Sequence, residues 1–121
     1  MIGIGIDSVD VPRFRKALER RSTLAERLFS DAELEYARRA VDPTERLAAR
    51  FAAKEAVMKV LGVGLGAFGF HDVEVVLRST GRPELVVRGE AEVLAHRAGV
   101  TRWHISLTHT ASQAQAFVAA E

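Results

Sequence analysis

Residues 1–10 read MIGIGIDSVD. The apolar Ile2, Ile4 and Ile6 alternate with Gly3, Gly5 and Asp7, the period of a buried β-strand whose two faces differ in bulk. Glycine weakens a strand, so two of them on one face mean that another element packs very close there. Asp7 points into the same space, and Asp10 follows where the strand runs out. The question this stretch raises is what those carboxylates do.

The rest of the chain supplies the packing partner. Asp10 is placed to cap a short helix that begins near Pro12 and runs to Arg20, and a second short helix is expected over 22–28. Ser30-Asp31-Ala32-Glu33 has the spacing of a capping box and opens a helix to about Ala40. Asp42-Pro43-Thr44-Glu45 then starts the longest helix, predicted from Pro43 to Val60 or Leu61, where Gly62 supplies a left-handed stop. The glycine-rich VGLGAFG stretch that follows has neither Walker nor dinucleotide spacing and reads as a loop. Strands are expected at about 73–78 and 84–88, a helix at about 90–98, and strands at about 102–109 and 113–119. This order predicts an α+β fold, a mostly antiparallel sheet covered on one side by the long central helix, with residues 1–121 as a single domain.

Composition narrows the chemistry. The chain is 48% hydrophobic and 27% charged, ordinary for a globular protein, and carries a formal net charge of +1. It has no cysteine, which removes disulfides, thiolate zinc sites and thiol nucleophiles. No run approaches the ~18 apolar residues that span a bilayer, so no membrane role is expected, and with no export leader a cytoplasmic location follows by default. Charge is unevenly spread: residues 11–21 hold Arg13, Arg15, Lys16, Arg20 and Arg21 against Glu19 alone. A local basic face of this kind suits an acidic partner.

On the long helix, Leu47, Phe51 and Met58 fall within about 40° of one another, and Glu55 lies about 40° beyond that stripe, half-buried. Arg46, Arg50 and Lys54 recur every four residues as a basic ridge, and Lys59 sits one turn after Glu55. The plain reading pairs Glu55 with Lys59 along the helix. The sharper one notes that if the glycine face of the first strand packs on this helix, Asp7 and Glu55 come together and need protonation or a cation. With only two carboxylates and no thiols, the fitting ion is Mg²⁺, which keeps several waters and takes phosphate oxygens as further ligands. Along His104-Ile105-Ser106-Leu107-Thr108-His109, the side chains of His104, Ser106 and Thr108 share one polar strand face suited to an anion. His71 and His96 read as ordinary polar groups.

Five short motifs occur in one order: G-I-D-x-V from Gly5, R-F-A-A-K-E-A-x-x-K at 50–59, L-G-x-G at 61–64, G-R-P-x-L at 81–85 and H-I-S-L-T-H at 104–109. Together, over nearly the whole chain, they resemble the holo-[acyl-carrier-protein] synthases, the short AcpS-type branch of the 4'-phosphopantetheinyl transferases. The resemblance implies Mg²⁺-dependent transfer of phosphopantetheine from coenzyme A to a serine of apo acyl carrier protein, in support of fatty acid or polyketide synthesis. It implies that Asp7 and Glu55 are metal ligands and that Lys59 is a second catalytic group meeting the phosphates. By the same resemblance Arg50, Lys54, Gly62, Gly64, Pro83, His104, Ser106 and Thr108 surround coenzyme A. Arg13 and Arg27, assisted by Arg20 and Arg21, would grip the acidic recognition helix of the carrier protein. Members of this branch form trimers with sites shared between neighbours, so a homotrimer is expected. Some members carry an acid after the last histidine, where this chain has Thr110, so no side chain is assigned as general base and His109 is only a candidate.

Two rival classes make different demands. A non-catalytic binding module would keep the basic first helix but need neither Asp7 nor Glu55. A nucleic-acid binder would need interleaved aromatics as a stacking platform, and the basic stretch has none, so no nucleic-acid partner is expected.

Overall fold

The computed structural model describes residues 1–121. Strand β1 (Gly3–Asp10) leads directly into α1 (Val11–Arg20), with the Asp10 side chain accepting the Arg13 backbone N–H at 2.9 Å. Helix α2 (Leu24–Leu28) is followed by α3 (Asp31–Ala37), whose capping box forms: Ser30 Oγ accepts the Glu33 N–H while Glu33 accepts the Ser30 N–H. The helix ends three residues before Ala40, and the remainder closes in tight turns, Arg39 N–H to the Tyr36 carbonyl and Ala40 N–H to the Ala37 carbonyl. Helix α4 (Thr44–Leu61) starts one residue after Pro43, its first N–H held by Asp42 Oδ1 at 3.0 Å, and stops at Gly62 with φ 67°. A 3₁₀ turn over Phe70–Asp72, absent from the sequence reading, ends the loop. The rest is β2 (Val73–Leu77), β3 (Pro83–Val87), α5 (Gly89–Arg97), β4 (Trp103–His109) and β5 (Gln113–Ala120).

The strands are antiparallel throughout but form two sheets, a three-stranded β1-β5-β4 and a two-stranded β2-β3 hairpin. Helix α4 lies across the larger sheet, and the glycines of β1 set how close it comes. A Cβ on Gly3 would stand 2.9 Å from the Val60 carbonyl oxygen, and one on Gly5 would overlap the Ala56 carbonyl oxygen. Ala48, Ala49, Ala52, Ala53 and Ala56 are fully buried, so small side chains meet small side chains along this seam. Phe51 stacks between Phe14 of α1 and Phe70, at 5.3 and 5.8 Å between ring centroids, tying the basic helix to the central one. No helix is long and apolar enough to cross a membrane.

The isoleucine face of β1 corrects the expectation of a buried strand. Ile4 and Ile6 are 60% and 59% exposed, because α4 covers only the glycine face and nothing in the chain covers the other. Phe117, directly opposite Ile6 on β5, is exposed with them.

Candidate active site

The end of β1 and the middle of α4 bring the charged groups together. Asp7 follows the two glycines on the helix-facing side of the strand, so the close approach of α4 that those glycines permit carries Asp7 to the helix. Lys59 Nζ donates to Asp7 Oδ1 at 3.0 Å and to the Ile6 carbonyl at 2.8 Å. The expected i,i+4 pair between Glu55 and Lys59 is not made; the lysine turns to the strand instead. Glu55 is half-buried, and its pKa is pushed up, first by burial and then by the negative charge of Asp7, with Lys59 pulling it partly back. Asp7, Glu55, Asp10 and Arg13 line one cleft of about 350 Å³, floored by Phe14, Ala17 and Phe51.

These residues fit a hard cation. The like charge of Asp7 raises the proton affinity of Glu55, a strain that a positive charge would relieve, and no group of three or more His, Cys, Asp or Glu side chains that could hold a metal ion occurs in the chain. An ion here would take Asp7 and Glu55 from the protein and the rest of its shell from water and substrate oxygens, the coordination Mg²⁺ favours.

The basic ridge expected to face a ligand is instead roofed by α3. Lys54 is fully buried and its three ammonium protons are used: by Glu33 Oε1 at 2.9 Å, by the Phe70 carbonyl at 2.9 Å and by the Val73 carbonyl. Burial holds its pKa below the ordinary lysine range, with Glu33 offsetting part of that. Arg50 is 4% exposed, stacked with Arg46 on the ring of Tyr36, at 4.4 and 4.5 Å from the centroid. Within one chain, therefore, Lys54 presents no donor to a cofactor and Arg50 is withdrawn beneath α3. Glu33 gave only a capping signal in the sequence; its burial as the partner of Lys54 had none.

A second cleft, of about 610 Å³, opens between the edges of β3 and β4. Pro83 and His104 line it, joined by Arg78, Arg82 and Arg102 with Glu84 as the only acid. The three arginines escaped the sequence reading because nothing in their spacing brings 78, 82 and 102 together before the hairpin folds against β4. Gly62 and Gly64 border open space, with no atom within 4 Å of where a Cβ would stand. His104, Ser106 and Thr108 do share a face, opposite Ala119, Phe117 and Gln115, but that is the face turned away from α4. A single chain thus separates them from Asp7 and Glu55 by the thickness of the sheet. Arg13, Arg20, Arg21 and Arg27 are exposed, whereas Arg15 is engaged with Asp42 at 2.8 Å. His71 is held by the Glu26 carbonyl at 2.7 Å, an ordinary structural contact, and His109 Nδ1 lies 2.9 Å from Glu45 Oε1.

The profile of the 4'-phosphopantetheinyl transferase superfamily matches residues 3–119. A holo-[acyl-carrier-protein] synthase of Frankia alni is 50% identical over 121 residues, covering 100% of this chain and 98% of its own. Among solved structures, the holo-[acyl-carrier-protein] synthase of Neisseria meningitidis superposes with a TM-score of 0.89 at 31% identity, covering 100% of this chain and 98% of its own. The Helicobacter pylori synthase, solved in complex with coenzyme A, gives 0.85 at 28% identity over 98% of this chain and 99% of its own.

Proposed function

The chain belongs to the 4'-phosphopantetheinyl transferase superfamily, and from that membership we propose that it transfers the 4'-phosphopantetheine arm of coenzyme A to a serine hydroxyl of apo acyl carrier protein. The products are holo acyl carrier protein and adenosine 3',5'-bisphosphate. The observation that carries this reading is the meeting of Asp7, Glu55 and Lys59 where the glycine face of β1 packs on α4.

In the reaction the serine oxygen attacks the phosphorus that bears pantetheine. The bond from that phosphorus to the bridging oxygen breaks, its electron pair departs with adenosine 3',5'-bisphosphate, and the serine proton is lost to solvent water. Charge grows on the departing bisphosphate, so the protein's task is positioning and electrostatic stabilisation, and no covalent enzyme intermediate is needed. Asp7 and Glu55 would hold Mg²⁺, which when bound neutralises the diphosphate and stabilises the leaving oxygen. Lys59 adds a mobile point charge for the same phosphates, and its half-exposed ammonium has the reach to follow them. The half-burial of Glu55 strengthens the pull between its carboxylate and a cation held there. Arg13, exposed at the rim of the carboxylate cleft, with Arg20, Arg21 and Arg27, offers the positive surface for an acidic carrier protein.

Coenzyme A carries a 3'-phosphate on its nucleotide as well as the diphosphate, and the cleft between β3 and β4, with its three arginines beside Pro83 and His104, suits that phosphorylated nucleotide. Gly62 and Gly64 leave room for its backbone approach. The working unit is proposed to be a homotrimer. Ile4, Ile6 and Phe117 form an exposed apolar face that a neighbouring copy would cover. His104, Ser106 and Thr108 lie on that same face, so covering it would also carry them towards another copy's carboxylates. Residues 1–121 act as one catalytic domain, and a chain with no cysteine and no membrane-spanning helix suits the cytoplasm.

The test is direct. Protein, apo acyl carrier protein, coenzyme A and Mg²⁺ are mixed, and the carrier's serine is examined for the added phosphopantetheine mass. No mass gain beside a working reference transferase would remove the reading.

A further inference from the structure

Lys59 reaches Asp7 because Gly5 has no side chain. The lysine Cβ lies only 3.1 Å from where a Cβ on Gly5 would stand, so its stem runs flat across the bare strand to the Ile6 carbonyl and the Asp7 carboxylate. Asp7 and Glu55 line one cleft as like charges, and Lys59 is the cation between strand and helix, bonded to the first and one helical turn from the second.

We propose that the Lys59 ammonium is a resident stand-in for the divalent ion, filling the cation position beside Asp7 in the free protein and leaving it when the ion binds. This rests on Asp7 and Glu55 being the ion's ligands, as inferred above. A divalent ion drawn to the two carboxylates repels an ammonium at the same oxygens, and both cannot keep them. The lysine is free to go, since its side chain is 54% exposed and an ion pair that open is weak. Displacement sets an order of events: Lys59 becomes available to the substrate phosphates only once the ion is in place. The same side chain therefore guards an empty site and serves a loaded one, and the carboxylates are never left facing each other without a cation.

Binding of Mn²⁺ alone, followed by the electron paramagnetic resonance of the free ion with no substrate present, reads the competition directly. Lys59→Met keeps the stem and removes the ammonium, and it is expected to bind Mn²⁺ about threefold or more tightly than the parent, the reach of a weak pair. Unchanged or weaker binding overturns the proposal, and so does an equal gain from Lys16→Met, which removes a charge on α1 instead. A second measurement needs no variant. In the unaltered protein, acetylation of Lys59 by an amine reagent should rise on saturation with Mg²⁺ while Lys16 stays constant; a fall or no change at Lys59 overturns the proposal. If neither protein binds Mn²⁺ at all, the ligand role of Asp7 and Glu55 fails and takes this inference with it. Binding that ignores Lys59 sinks this inference alone.

Discussion

Lys59 bonds Asp7 across the seam between helix and strand, at 3.0 Å, and not Glu55 one turn back on its own helix. The consequence is that Glu55 keeps a raised pKa, being half-buried beside a carboxylate whose own counter-charge is already engaged.

Glu55→Gln removes an ion ligand while preserving shape. Turnover should fall by at least about 100-fold, the scale seen when a charge aimed at phosphoryl transfer is lost. Stability should not fall, because the change also relieves repulsion from Asp7. Carrier-protein mass analysis beside thermal melts checks both; near-parental turnover would refute the ligand role.

The raised pKa of Glu55 also sets a pH dependence. An ion needs the ionised carboxylate, so activity should fall with decreasing pH through a limb lying above the ordinary carboxylate range. Excess Mg²⁺ competes with the proton and should move that limb to lower pH. For stability the sign is opposite: the raised pKa favours folding below the unfolded value, and that contribution is gone once pH has risen through the folded value. Profiles of kcat/KM at two Mg²⁺ concentrations test the catalytic half, and coincident limbs would contradict it.

Gly5→Ala tests what brings the site together. Its methyl would overlap the Ala56 carbonyl, which is backbone in mid-helix and cannot step aside, and would crowd the Lys59 stem at 3.1 Å. A loss of about 3 kcal/mol in urea unfolding is expected, with turnover reduced as well. A variant as stable as the parent would mean that α4 does not depend on this contact.

The parts of this architecture written in local sequence were legible. Helix starts at Asp10 and Ser30, the stop at Gly62 and the close packing of Gly3 and Gly5 each follow from a side chain's effect on its own or the adjacent backbone. So did the approach of Asp7 to α4. What the pattern could not carry was which side of α4 the other chain segments occupy. Arg46, Arg50 and Lys54 read as an open ridge because charged residues are usually solvated, yet α3 crosses there with Glu33 and Tyr36 and closes it. The same limit hid the cluster of Arg78, Arg82 and Arg102, which depends on how the small hairpin docks beside β4.

The buried Lys54–Glu33 pair makes a prediction of its own. Lys54→Met leaves Glu33 as an uncompensated charge in the interior and should cost about 3–5 kcal/mol. Adding Glu33→Gln removes that charge and keeps an acceptor oxygen for one of the two N–H groups, Ser30 and Val75, that the carboxylate now serves with separate oxygens, so the double variant should regain part of the loss. A urea-unfolding double-mutant cycle measures this; additive losses would show that the two residues do not act as a pair.

The exposed sheet face yields the last prediction. Ile6 is 59% exposed in the single chain, with Phe117 directly across from it and Ser106 directly across from Phe117 on the next strand. If a second copy covers this face, a charge at Ile6 must be desolvated on assembly, a cost of several kcal/mol per contact. Ile6→Glu should therefore be a folded monomer by light scattering, with the parental circular dichroism spectrum, since in one chain the side chain already meets water. Its transferase activity should be lost, because His104, Ser106 and Thr108 would then have no neighbouring carboxylate pair to serve. A monomeric variant that retains full turnover would mean that one chain completes its own site, and the apolar face would need another explanation.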